Sequence, residues 1–290
     1  MRTITRFAPV VVALALSSAC GDVNAALAHL AEARWLAAQL HVVFTKAADA
    51  ANRAVMAESD ELAVTFAREA EQASAAVEST VTTLAPLLAD GDYAREAQRL
   101  EAFTSRFTEY RALDRRILDL AVENTNLKAQ RLSFGPAQEA ADAFRDALAA
   151  VVPAHSARDA WQVRALTAAA VVTVREIQVL HAPHIADADD AVMTRMEARM
   201  ATSEAGARAA LASLAAVVAP ESRARLTAAA AALDRFMVLN AEITALSRRN
   251  TNVRALALSL DQKRTVTAQC ETELRALQDA LAARTHPLGR

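Results

Sequence analysis

The chain has 290 residues, of which 53% are hydrophobic and 4% aromatic, and its formal net charge at pH 7 is −2. So many apolar residues argue against a disordered chain, and so few aromatic ones argue against a β-sandwich. The charge is nearly balanced and contains no block of basic residues, which argues against a nucleic-acid binder, because such a protein needs a concentrated positive face.

The first twenty residues predict an export signal. Two arginines precede the apolar run Phe7 to Leu16, which is shorter than the roughly 20 residues of a membrane-spanning helix. The run ends in Ser-Ser-Ala-Cys, which resembles a bacterial lipoprotein signal whose Cys20 is lipidated. Ser17 stands where that signal usually has leucine, and ordinary secretory cleavage fits the same residues. We favour lipidation, which predicts a protein of the bacterial cell envelope that contacts the membrane through Cys20.

Helical periodicity and chain breakers divide the rest of the chain into eight predicted helices. Alanine dominates together with Leu, Arg, Glu and Gln, and this mixture favours helices. The predicted limits are 24–56, 59–89, 93–133, 137–152, 154–182, 187–218, 221–259 and 262–285. Connections this short predict antiparallel neighbours and therefore up-down-up-down bundles. The predicted fold class is all-α.

The sequence repeats itself at an offset of 126 residues. The segment from Ile117 to Leu127 returns as Ile243 to Val253, and the similarity extends to Trp35 and Trp161. A period this long corresponds to a small domain. The predicted domains are a signal peptide at 1–20 and two tandem up-down four-helix bundles at 21–152 and 153–290, each able to fold alone. The bundles stack end to end as a rod if Pro153 only kinks a shared helix.

An asparagine interrupts the predicted apolar seam of the third helix and of the seventh. The seams are Leu113, Ile117, Leu120, Asn124, Leu127, Arg131 and Phe134, and Leu239, Ile243, Leu246, Asn250, Val253, Ala257 and Leu260. Their alternating steps of four and three are typical of a bundle core. A buried asparagine without partners costs about 1–3 kcal/mol. It therefore either pairs with facing helices and sets their register, or it meets a small polar ligand in an open core.

The segment Asn250-Thr251-Asn252-Val253-Arg254-Ala255-Leu256-Ala257-Leu258-Ser259-Leu260, with its counterpart from Asn124 onward, resembles the periplasmic four-helix-bundle sensor region of methyl-accepting chemotaxis receptors. The resemblance implies an extracytoplasmic module that senses small molecules, directly or through a binding protein. In that family a membrane span and a cytoplasmic signalling hairpin follow the sensor region, and this sequence shows neither after its second half. We therefore expect a detached sensor module.

These patterns predict a non-enzymatic, exported protein that binds a small ligand, with a homodimer or a receptor as its partner. Arginine suits a ligand carboxylate, and asparagine suits an amide or hydroxyl. The candidate ligand-binding residues are Asn124, Asn126, Asn250, Asn252, Arg248 and Arg254. The alternative is a structural or scaffolding envelope lipoprotein that binds another protein through its bundles. No metal, cofactor or nucleic acid is predicted.

Other residue types are assigned structural roles. His181 and His184 have a metal-ligand spacing, but the proline between them predicts a turn whose aspartates cap the next helix. Trp35 and Trp161 are predicted to anchor the two cores, and Cys270 to be a small buried apolar side chain. The sequence contains no glycine-rich phosphate loop and no arrangement of serine and histidine that indicates a nucleophile, so no enzyme is predicted.

Overall fold

A computed structural model describes residues 10–89, 93–152 and 160–284, with side chains from residue 24 onward. These residues are all-α, as the composition predicted, and contain no β-strand. The helices are α1 (Val10–Val55), α2 (Asp60–Ala89), α3 (Ala94–Glu123), α4 (Thr125–Leu132), α5 (Gln138–Ala149), α6 (Ala160–Ala186), α7 (Asp190–Val217), α8 (Arg223–Arg249), α9 (Thr251–Leu258) and α10 (Arg264–Ala283). Within the described ranges, none is both long and apolar enough to span a membrane.

The predicted export signal, residues 1–20, lies only partly within this description. The first nine residues are not described, and the side chain of Cys20 is not described either. Export and lipidation of Cys20 therefore stay predictions.

Two of the predicted turns are absent because the chain stays helical through them. The π-helical segments Ser133–Ala137 and Ser259–Lys263 join α4 to α5 and α9 to α10. Pro136 lies inside the first segment, where a wider turn relieves the clash of its ring with the preceding turn. The third and fourth predicted helices of each repeat are thus parts of one helical path, and the break in that path lies at Asn124 and Asn250.

The helices form two compact units that do not coincide with the sequence repeats. Among the described residues, unit 1 contains those up to Met56, those within Val64–Leu118 and those from Leu258, whereas unit 2 contains Ala57–Ala63 and the described part of Asp119–Ala257. Unit 1 therefore combines α1, α2 and most of α3 with α10 of the second repeat. Unit 2 combines α6, α7 and α8 with α5 of the first repeat. The structure thus differs from the predicted division at residue 152, because each repeat contributes its fourth helix to the unit of the other.

The core of unit 1 requires the exchanged helix α10. Its buried residues include Leu36, Leu40 and Phe44 of α1, Val77, Leu84 and Leu88 of α2, Phe103, Phe107 and Tyr110 of α3, and Cys270, Leu274 and Leu277 of α10. The four aromatic rings contact one another at centroid distances of 5.3 to 6.1 Å. Burying each large apolar side chain stabilises the fold by about 1.5–3 kcal/mol. Unit 1 without α10 would expose one side of this core.

The core of unit 2 depends on α5 in the same way. Its buried residues include Ala140, Phe144 and Leu148 of α5, Val163, Ala170, Val174 and Ile177 of α6, Met193, Met196, Met200 and Leu214 of α7, and Leu226, Leu233, Phe236 and Ile243 of α8. Phe144 occupies the sequence position that Cys270 has in the second repeat, and both side chains are fully buried. The two fourth helices therefore present equivalent faces to different units.

Expressed separately, residues 21–152 and 153–290 are expected to fold poorly, in contrast to the expectation from the repeats alone. Each half lacks one helix of its core and exposes the apolar face of its own fourth helix. Circular dichroism and thermal denaturation of each half and of their equimolar mixture test this. The mixture should be more helical than the sum of the halves and should melt cooperatively. Halves that each melt cooperatively as monomers would contradict the exchanged arrangement.

Candidate functional site

Asn124 and Asn250 break their helices with left-handed backbone. Their φ angles are 53° and 52°, and no other described non-glycine residue has a positive φ. Asparagine tolerates this conformation better than most residues because its short side chain bonds locally. Each residue ends one helix and precedes the next, α4 or α9. Each break therefore leaves the first backbone amides of a new helix without intrahelical acceptors.

The two Asn-Thr-Asn segments supply these acceptors to each other. The amide of Thr125 donates to Thr251 Oγ1 at 3.0 Å, and the amide of Thr251 donates to Thr125 Oγ1 at 3.2 Å. The amides of Asn126 and Asn252 likewise donate to each other's Oδ1, at 3.2 and 3.1 Å. Side chains of one repeat thus cap a helix of the other. We call residues 124–126 together with 250–252 the asparagine clasp, and all of it lies in unit 2.

The side-chain amides of the clasp are also satisfied within unit 2. Asn126 Nδ2 donates to Asn250 Oδ1 at 2.8 Å, and Asn252 Nδ2 donates to Asn124 Oδ1 at 2.5 Å. Further bonds run from Nδ2 of Asn124 to Asp60 Oδ1 (2.7 Å), from Nδ2 of Asn126 to the Ile185 carbonyl (2.6 Å) and from Nδ2 of Asn250 to the Asp187 carbonyl (2.6 Å). Each of the four amide groups has a partner for its oxygen and its nitrogen. This geometry suits the register-setting interpretation better than a ligand pocket.

The two predicted arginines of the site are separated by the structure. Arg248 donates through Nε and Nη2 to both carboxylate oxygens of Glu197, at 2.7 and 2.9 Å, and it also bonds Thr194 Oγ1 at 2.7 Å. The hydrogen bond from Arg248 is the largest cause that holds the pKa of Glu197 below its usual value. Arg248 of α8 is therefore hydrogen-bonded to two residues of α7. Arg254 is exposed on α9 and has no part in the clasp side-chain bonds.

His184 is buried beside this ion pair. Its Nε2 lies 2.9 Å from Glu197 Oε1 and its Nδ1 lies 2.8 Å from Ser247 Oγ, whose hydroxyl donates to the His184 carbonyl at 2.6 Å. The predicted turn at Pro183 is wrong, because α6 continues to Ala186. The predicted cap is confirmed, since the Asp189 side chain accepts from the first amides of α7.

A second buried histidine, His181, connects Ser133 to Asn240. Its Nε2 lies 2.9 Å from Asn240 Oδ1 and its Nδ1 lies 3.0 Å from Ser133 Oγ. Because an amide oxygen only accepts, Nε2 carries the proton and Nδ1 accepts from the serine hydroxyl. Burial lowers the pKa of His181, which favours this neutral form. Among the described residues, no three His, Cys, Asp or Glu side chains are grouped to hold a metal ion.

A groove of about 600 Å³ opens between α7 and α8 of unit 2. It is lined by Glu197, Met200, Ala201, Glu204, Arg208, Asp234, Met237, Val238, Asn240, Ala241 and Thr244. Arg208 bridges Glu204 and Asp234, at 2.9 and 2.8 Å. Asn240 is only 7% exposed, and its Oδ1 is taken by His181. Its Nδ2 donates to no described group and is not one of the buried atoms without a partner, so it reaches the accessible surface of the groove.

Asn240 of α8 lies outside the predicted apolar seam, because the buried face of this helix takes Asn240 and Ser247 in place of their neighbours Leu239 and Leu246. The buried positions are Phe236, Asn240, Ile243, Ser247 and Asn250, whereas Leu239 and Leu246 are half-buried and Leu260 is 60% exposed. Both sets follow the same steps of four and three, so spacing alone does not separate them. The more polar set is the buried one because its side chains bond the histidines of α6 and the clasp.

The tryptophan prediction is wrong and the cysteine prediction is confirmed. Trp35 is 63% exposed and Trp161 is 71% exposed, because the buried faces of α1 and α6 at these levels consist of Ala33, Leu36 and Val163. Cys270 is buried in unit 1 with a free thiol, and burial raises its pKa to about 12. A thiol so seldom ionised is a poor nucleophile.

Neither a scan against models of protein families nor searches of curated proteins and of solved structures found a match to this chain. The resemblance to chemoreceptor sensor regions therefore stays a prediction that rests on the Asn-Thr-Asn segments.

Two substitutions of Asn250 separate the contribution of its side-chain amide to stability from that of its left-handed backbone. Asn250→Gly keeps the left-handed backbone and removes the amide, whereas Asn250→Ala loses both. We expect the glycine variant to lose about 1–3 kcal/mol of unfolding free energy through unpaired buried partners. The alanine variant should lose a further 1–2 kcal/mol, roughly, through backbone strain. Urea denaturation measures both, with Asn24→Ala, an exposed asparagine of α1, as the control. Stabilities equal to wild type would contradict the clasp.

His181 is expected to make stability depend on pH. Its folded pKa lies below the ordinary 6.5, so the unfolded chain binds the proton more readily and stability falls as the pH drops below about 6.5 toward the folded pKa. Urea denaturation at about pH 7.5 and 5.5 should show this loss, at most about 1.4 kcal/mol per pH unit. The loss should be smaller in His181→Gln, which cannot titrate. Identical pH dependence in both proteins would refute this assignment.

Proposed function

We propose that this chain is a non-enzymatic, sensor-like protein whose small ligand occupies the groove between α7 and α8. The observation that carries the proposal is Asn240, a mostly buried residue whose Oδ1 bonds His181 while its Nδ2 reaches the groove and donates to no described group. The bond from Oδ1 to His181 fixes the orientation of this amide, so Nδ2 is held as a hydrogen-bond donor toward the groove. A ligand in the groove can accept this hydrogen bond in place of water.

The lining of the groove suggests the chemistry of the ligand. The lining contains three carboxylates, those of Glu197, Glu204 and Asp234. Two positive charges oppose them, those of Arg208 in the lining and of Arg248, which pairs with Glu197. One negative charge is therefore left unmatched. Other parts of the lining are apolar and include Met200, Met237 and Val238. A small organic cation with an apolar part and a hydrogen-bond acceptor for Asn240 fits this combination.

The clasp has a supporting role in this proposal. Glu197 lines the groove and bonds His184 and Arg248, and Arg248 lies two residues before Asn250. The groove and the clasp are thus parts of one hydrogen-bonded region of unit 2. Export through residues 1–20 and a lipid on Cys20 would present this region outside the cytoplasm, where the resemblance to chemoreceptor sensor regions also places it.

A scaffolding protein is the second candidate, and the exposed tryptophans favour it. Trp35 and Trp161 occupy equivalent positions of the two repeats, and both point outward from α1 and α6. Tryptophan is enriched at protein interfaces and among the residues that dominate their binding energy. In this alternative the groove is a surface feature, and another protein covers the tryptophans.

A thermal-shift experiment on the full chain distinguishes the two. The panel contains primary amines, amino alcohols and quaternary ammonium compounds, with carboxylic acids of similar size as controls. A ligand that binds the native state raises the melting temperature by mass action, by a few degrees at a concentration about 100-fold above Kd. Asn240→Leu and Glu204→Gln should abolish the shift, while Asn252→Ala in the clasp should lower the melting temperature and leave the shift intact. A flat panel, or a shift that survives Asn240→Leu, would reject the groove.

A further inference from the structure

The two repeats differ at the position where their third and fourth helices meet. In unit 1 the carboxylate of Asp114 lies 2.7 Å from Lys263 Nζ, and both residues are almost completely buried. Lys263 ends the π-helical segment that leads into the exchanged helix α10. At an offset of 126, the counterparts of Asp114 and Lys263 are Asn240 and Ala137, both buried in unit 2. At these two positions, therefore, a buried ion pair joins the exchanged fourth helix to its unit in unit 1 and not in unit 2.

This pair is costly to separate. Burial raises the pKa of Asp114 and lowers that of Lys263, while their mutual attraction opposes both shifts. The other charges that act on Asp114 are Arg111 and Glu71, which have opposite signs. Removing one member of a buried pair is strongly destabilising, because it leaves a buried charge without compensation.

The repeats allow a competing arrangement. If the chain turned back at Gly135-Pro136 and at Ser259–Lys263, as the local sequence suggests, each repeat would keep its own fourth helix. The apolar positions of α5 and α10 are equivalent, so both arrangements fill the cores with similar side chains. The polar positions are not equivalent. In the unexchanged arrangement Lys263 would take the place of Ala137 and face an asparagine, while Asp114 would face an alanine.

We propose that the Asp114–Lys263 pair selects the exchanged arrangement, because only there do both buried charges meet. The face of unit 1 formed by α1, α2 and α3 thus discriminates between two similar helices of the same chain and accepts α10. A buried polar pair is better suited to specify an arrangement than to add net stability. The single asparagine that fixes register in a coiled coil acts in the same way.

Crosslinking of paired cysteines reports which arrangement the full chain adopts. His41 Nδ1 lies 3.3 Å from Gln278 Oε1, so cysteines at 41 and 278 mark the exchanged form. Cysteines at 41 and 152 mark the unexchanged form, because 152 is the counterpart of 278. Cys20 is replaced by serine, and the buried Cys270 is kept. After refolding, a short bismaleimide is added and the linked peptides are identified by mass spectrometry.

In the otherwise unchanged chain only the 41–278 link should form. The double variant Asp114→Asn with Lys263→Ala gives unit 1 the residues of unit 2, and both links should then form. Either single substitution should melt at a lower temperature than the double variant. The control removes an exposed ion pair between the same helices, Arg99 and Glu273 at 3.1 Å, by Arg99→Gln with Glu273→Gln, and it should keep the exclusive 41–278 link.

A second variant covers the case in which the first does not fold. Ala137→Lys with Asn240→Asp keeps the pair of unit 1 and adds an identical pair to unit 2, so that both arrangements satisfy all four charges. This variant should also form both links. The proposal is overturned if a cooperatively folded variant of either type forms only the 41–278 link.

Discussion

When a helix breaks at a residue with left-handed backbone, a new helix begins and its first backbone amides need hydrogen-bond acceptors. The arrangement of the helices in unit 2 depends on where those acceptors lie. Asn124 and Asn250 make the two breaks, and each repeat supplies the acceptors for the other. Neither segment can satisfy its own amides in this geometry. The clasp therefore requires the Asn-Thr-Asn segments of both repeats at once.

Because the fourth helices are exchanged, the apolar cores also require both repeats. Unit 1 needs α10 and unit 2 needs α5, so neither repeat completes a core without the other. The two repeats also differ at individual buried positions. Position 114 holds a carboxylate in a buried ion pair, whereas its counterpart 240 holds an amide that bonds a histidine beside a groove.

Hydrogen-bond pairing distinguishes architectural asparagines from a candidate binding residue in unit 2. The four clasp asparagines attract notice in the sequence, yet each is paired within the chain. Asn240 has no distinctive motif around it, yet its Oδ1 is fixed by His181 and its Nδ2 faces a groove. A fully paired buried amide stabilises a specific arrangement, whereas a donor that faces a groove is more informative about binding.

The sequence by itself determined the properties that depend on composition and short-range pattern. These are the all-α fold, the duplication, the burial of Cys270, the aspartate cap of α7 and the unusual status of the two asparagines. Only the tertiary structure decided whether Gly135-Pro136 is a turn or part of a π-helical path, since glycine and proline are compatible with both a chain reversal and a helix irregularity. It also decided the partner of each fourth helix, the exposure of the two tryptophans and the position of Asn240. These features depend on which of several similar helical faces meet, and faces one residue apart carry nearly the same apolar pattern. Long-range packing and the pairing of a few buried polar groups distinguish them.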